Sequence, residues 1–210
     1  MMGLAWATRV GLVGALALVV GALAVLRIRQ NRQGRIGGAI APAKLVWLGI
    51  AVYTWFILAP VLALDSAVPT PARIVLGSFG ICMWARGPIE LFMMYVTRNW
   101  RPPYGIAHDA LCLVVVLATI AWQAPHLVGL AAVWWLLFAV VVVSLSLELV
   151  YARAFLRLVG RRTMGDDAVW FASAEDPAFR RIVRLTALFN GPLLVGLALC
   201  LVAALGGGGA

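Results

Sequence analysis

The sequence predicts an all-α, polytopic integral membrane protein, a six-helix transmembrane bundle forming a single membrane domain over residues 1–210. Three observations predict it. The chain is 64% hydrophobic and only 12% charged, more apolar surface than a soluble domain can hide. The apolar residues fall in blocks near the roughly 20 residues that cross a bilayer as a helix, and none alternates as an outer-membrane strand does. The formal net charge of +9 is distributed over alternate loops, as the positive-inside rule requires. That distribution explains the charge without nucleic acid as a partner.

The expected spans are 10–26, 45–64, 74–97, 106–124, 127–150 and 185–205. The first ends at Ala22-Leu23-Ala24, which resembles a signal-peptide cleavage site. Cleavage there would leave the basic segment that follows with no preceding helix to hold it, so an uncleaved first helix is expected. That segment carries Arg27, Arg29, Arg32, Arg35 and Lys44. Spans two and three are joined by the short "DSAVPTPA", and spans four and five by "QAP". Span three ends in "NWRPPYGIAHD", where Pro102-Pro103 stops a helix and Gly105 permits a sharp return. A long loop, 151–184, then carries Arg153, Arg157, Arg161, Arg162, Arg180, Arg181 and Arg184. Within it, Asp176 is a candidate N-cap and Pro177 the first residue of a helix leading into span six, with Ser173 as an alternative start. The basic loops share one side if there are six spans. The expected location is therefore the cell membrane (an inner membrane), with these loops cytoplasmic and both termini outside. Arg180, Arg181 and Arg184 are expected to contact lipid headgroups or a partner.

The candidate site is a layer of polar residues in the cytoplasmic half: Arg86, Glu90, His108, Asp109, Glu148 and Asn190. An ionised side chain at the depth of Arg86 costs at least several kcal/mol unless paired or hydrated. Glu90 at i+4 offers a pair, and Pro88 between them predicts a kink and a free carbonyl at Trp84 that Arg86 could satisfy. The pair reads equally as a structural lock or as part of a binding or proton-relay site. Asp109 is expected in the first turn of span four, where the helix dipole favours an anion. Glu148 is expected in the last turn of span five, where the dipole opposes it and a partner is needed. Ser144 and Tyr151 share the Glu148 face.

Cys82, Cys112 and Cys200 are spaced as packing residues, with no disulfide or zinc framework. Metal is not expected, because no Glu–His pair stands at ligand spacing. His108 and His126 lie too far apart for one haem iron. No cofactor is identified, and no catalytic signature appears. The first expectation for function is a non-catalytic membrane subunit whose cytoplasmic-side polar layer binds a partner, a lipid or a cofactor held by other membrane subunits. The others are a small transporter or proton pathway using Arg86 and Glu90, and a membrane-embedded enzyme acting on a lipid-like substrate.

Overall fold

The computed structural model describes residues 22, 49–95, 97, 101–159, 177–188 and 190–205, and among them there is no strand. Of the first expected span only Ala22 is described, and it is helical. The basic segment 27–44, Asp176 and the glycine tail lie outside the described residues.

The helices are α1 (Gly49–Leu64), α2 (Thr70–Tyr95), α3 (Pro102–Leu127), α4 (Ala132–Val159), α5 (Pro177–Leu188) and α6 (Asn190–Leu205). Among the described residues three stretches are long and apolar enough to cross a membrane: Pro102–Leu127, Ala132–Arg157 and Val183–Leu205. The chain is thus a helical membrane protein. α2 matches α3 at 26 residues, but Arg86 and Glu90 dilute its apolar content.

α1 packs on α2, α2 on α3, α3 on α4, α4 on α6, and α6 returns to α1, so five helices close a ring. α5 leans on α4 and α6. The middle of the ring is apolar: Leu76, Phe79, Val116, Leu137, Phe138 and Val141 are all buried. Trp55 meets Phe79 edge-on at 5.4 Å. A Cβ on Gly196 would lie 2.5 Å from the Trp55 ring, so only glycine lets α6 approach there.

α1 is widened into a π turn over Val52–Leu58, with Ala59 N–H donating to the Thr54 carbonyl. The cause is local. In an α-helix the Phe56 carbonyl would receive the N–H of residue 60, which is Pro and has none. Trp84 of α2 supplies the missing donor: its indole N–H reaches the Phe56 carbonyl at 2.9 Å. In lipid no water could do so. Arg73 similarly donates to the Ala63 carbonyl at the end of α1, at 3.1 Å.

Two local expectations are corrected. "QAP" is not a loop: α3 runs through Pro125 to Leu127, and the turn comes at Gly129, whose φ of 88° suits glycine. α2 continues as helix through Pro88. α3 begins at Pro102 and α4 runs on to Val159. Asp109 is therefore about two turns inside α3, and Glu148 about three turns from the end of α4. Neither is in a terminal turn, so the helix-dipole arguments for both fail. Pro102 takes the first helical position, where its absent N–H costs nothing, and this pulls the start of α3 back.

At the end of the bundle where α3 begins, Arg101, Arg153 and Arg157 are exposed. α5 begins at Pro177 as expected and is amphipathic, with Arg180, Arg181 and Arg184 exposed. The opposite end holds Asp65, which accepts the Ala67 N–H at 2.9 Å, and the exposed His126.

Candidate functional site: an intramembrane charge cluster

Three helices bring charge to one level of the bundle. Arg86 lies about 14 Å before the end of α2, Asp109 about 10 Å after the start of α3, and Glu148 about 16 Å before the end of α4. Because neighbouring helices run antiparallel, these heights coincide.

Arg86 is the hub. Its Nε meets Glu90 Oε1 at 3.2 Å along the same helix, and its Nη1 pairs with Asp109 Oδ1 across to α3. Glu148 of α4 is close enough for its charge to act on Arg86 as well. The Glu90 pair is the one expected from i,i+4 spacing, and the Asp109 pair adds to it. A guanidinium presents five N–H donors in a planar fork, which suits it to hold several oxygens at once.

Burial is unequal. Asp109 is fully buried, whereas the side chains of Arg86 and Glu90 retain 20% and 22% exposure. The second oxygen of Asp109, Oδ2, is buried and has no hydrogen-bond partner among the described residues. Ser144 Oγ on α4 and Asn190 Oδ1 on α6 share that condition. Ser78, Thr119 and Ser146 differ, because each returns its hydroxyl proton to a carbonyl of its own helix at 2.8–2.9 Å.

His108 joins the cluster from α3. Its Nε2 donates to the Cys82 carbonyl of α2 at 3.0 Å, and its Nδ1 faces Asp109 Oδ1 at 3.5 Å. A carbonyl only accepts, so the proton on Nε2 is fixed by geometry. Cys112 Sγ lies 3.5 Å from His108 Nε2, one turn along α3. Cys112 and Cys200 are buried and free, and Cys82 is half-buried.

The structure thus brings together Arg86, Glu90, His108 and Asp109, with Glu148 in electrostatic reach. Among the described residues no hydrogen bond joins Asn190 to them; its Oδ1, at the start of α6, is buried and has no hydrogen-bond partner. Tyr151, on the Glu148 face, stacks on Phe155 at 6.1 Å. Sequence reasoning missed the Arg86–Asp109 pair and the roles of Cys82 and Cys112 beside His108. The Arg86–Asp109 and His108–Cys82 contacts cross between helices, where no fixed spacing applies, whereas the His108–Cys112 contact is itself i,i+4 along α3 and was open to that rule.

Among the described residues no group of three or more His, Cys, Asp and Glu side chains is arranged to hold a metal ion. Chemically, the arrangement is a mostly buried set of charges in which one guanidinium holds carboxylates from two helices. Comparison with family models, with curated proteins and with solved structures finds no match for the chain.

Proposed function

We propose that the chain is a multi-pass subunit of an inner membrane and that the layer built on Arg86 is a non-catalytic binding site reached from the cytoplasmic side. The observation that carries this is the pairing of α2 and α3 through the Arg86 guanidinium, with a buried carboxylate oxygen of Asp109 left over. Charge at that depth is costly unless it is used. The basic end of the bundle supports the orientation: exposed arginines of α3, α4 and α5 gather there, and the positive-inside rule assigns such an end to the cytoplasm. On this reading six spans put both termini outside.

Binding is preferred to conduction because the ring is plugged. Beyond Cys112 the buried residues include Leu76, Phe79, Val116, Leu137 and Phe138, with Gln123 as the buried polar side chain on that side among the described residues. A proton or solute pathway through Arg86 would need a polar route across that layer. Binding is also preferred to catalysis on a lipid-like substrate. Such an enzyme needs a group free to attack or to move a proton, whereas Arg86, Glu90 and Asp109 hold one another. The exposed arginines of α5 serve as its contact with anionic headgroups or with a neighbouring subunit.

Labelling by a small charged thiol reagent tests this reading. The background is a chain whose native cysteines are replaced. Ser144→Cys and Asn190→Cys should react from the cytoplasmic side, and Leu136→Cys, which is exposed on the outer surface of the ring, should not. Failure of both polar positions to react, or reaction from the outer side alone, overturns it.

A further inference from the structure

The geometry points to an oxyanion site at the end of the bundle opposite the charge cluster. The ligand is the phosphate group of a lipid headgroup, or free phosphate, held in a cleft between the start of α2 and the end of α3. The site stands apart from the binding-site reading above.

The cleft has a volume of about 600 Å³, and Thr70, Ile74, Gln123, His126 and Val128 are among the residues that line it. No acidic side chain does so. Ile74 and Val128 give it an apolar wall beside its polar groups.

Gln123 is the buried element. It lies one turn before the end of α3 and is only 5% exposed. Its side-chain amide makes no hydrogen bond to any described residue. A buried amide without a partner is costly, and the cleft gives a partner access to it. A primary amide can donate two hydrogen bonds.

The other groups facing the cleft also donate. The backbone ladder of α2 starts with Arg73 N–H on the Pro69 carbonyl at 3.0 Å, so the N–H groups ahead of Arg73 have no partner in the helix. This helix of 26 residues directs the positive end of its dipole here, the arrangement that binds phosphate at helix starts. The Thr70 hydroxyl and the His126 imidazole stand on the exposed rim, and a neutral imidazole still carries one N–H. The last carbonyls of α3 oppose an anion, so the donors and not the field alone must hold it. Hydrogen bonds to a charged acceptor are the stronger kind. A metal cation finds no carboxylate or thiolate in the lining, and a purely apolar ligand leaves Gln123 unpaired.

The test is nuclear magnetic resonance of the full chain in uncharged detergent at constant pH, with the histidine imidazoles isotopically labelled. The chain has two histidines. His126 reports the cleft, and His108, in the charge cluster, is the internal control; His126→Gln assigns the two signals. Three probes are compared: inorganic phosphate, dihexanoyl phosphatidylglycerol and dihexanoylglycerol. The expected result is a saturable shift of the His126 signal with a phosphate-bearing probe, none with dihexanoylglycerol, and no movement of His108. A response to the phospholipid alone identifies a headgroup, and a saturating response to inorganic phosphate identifies a free anion. Gln123→Leu should raise the half-saturating concentration roughly tenfold or more, the scale of one lost hydrogen bond to a charged group. Gln123→Glu, which places a like charge in the cleft, should abolish the response. If Gln123→Glu does not fold, Gln123→Leu decides. An equal response to dihexanoylglycerol, equal shifts of both histidines, no loss in Gln123→Leu, or no shift with either phosphate probe overturns the proposal. None of these outcomes bears on the Arg86 cluster, which the cysteine labelling tests.

Discussion

Arg86 has two paired carboxylates of unequal burial, and the inequality sets what mutation does. Glu90 is partly open, and its loss leaves Arg86 still paired with Asp109. Glu90→Leu should therefore cost about 1 kcal/mol or less, within the range of exposed pairs. Arg86→Leu strands Asp109, which is fully buried, and should cost about 3–5 kcal/mol. The Arg86→Leu/Glu90→Leu double variant should stay as unstable as Arg86→Leu alone, because Asp109 remains bare. Thermal unfolding in detergent measures all three, and recovery in the double variant would show that Glu90 is the dominant partner. The sequence made the Arg86–Glu90 pair legible through i,i+4 spacing. It hid Asp109, because a partner across helices has no fixed spacing, and the apparent first-turn position of Asp109 offered the helix dipole as a sufficient explanation.

At the scale of the element, α1 and α2 are tied by a backbone defect. Pro60 removes the donor due to the Phe56 carbonyl, and the Trp84 indole replaces it. Trp84→Phe should cost about 1–3 kcal/mol, the penalty for an unsatisfied buried acceptor. The cost should shrink when Pro60→Ala restores an N–H. Equal costs in both backgrounds, measured by a double-mutant cycle in denaturant, would show that the indole acts by packing alone. α6 is placed by steric fit. Gly196→Ala would put a methyl 2.5 Å from the Trp55 ring and 3.2 Å from Val140, and overpacking of this kind costs about 1–3 kcal/mol. A Tm equal to the parent's would mean that α6 can shift away without loss. The helices themselves were legible as apolar blocks. Their ends were less so, because Pro102 and Pro125 read as breakers yet lie inside α3. One is tolerated at the first position, and the other sits in a last turn that Gly129 then ends.

The described helices form a ring with a basic end, an apolar waist and a charge cluster between them. Membrane character was legible, since hydropathy acts over whole segments, but the depths of Asp109 and Glu148 were not, because both read as terminal-turn residues and lie well inside their helices. The ring order was not, because packing partners depend on side-chain fit that periodicity does not encode. Orientation gives the prediction at this scale. A reporter fused after Ala210 should read periplasmic, and one inserted at Gly165 should read cytoplasmic. Both reporters on one side would contradict six spans.

The central claim is that Arg86 locks α2 to α3 through a buried charge pair with Asp109. A double-mutant cycle on that pair, read as unfolding free energy in a lipid nanodisc, tests it most directly. Arg86→Met and Asp109→Leu should each destabilise strongly, since each strands its partner. The Arg86→Met/Asp109→Leu variant should recover much of the loss, because a buried pair replaced by apolar residues of similar volume is often neutral or better. The predicted coupling is thus several times that of the Arg86 and Glu90 cycle. Additive costs, with no recovery in the Arg86→Met/Asp109→Leu variant, would contradict the account.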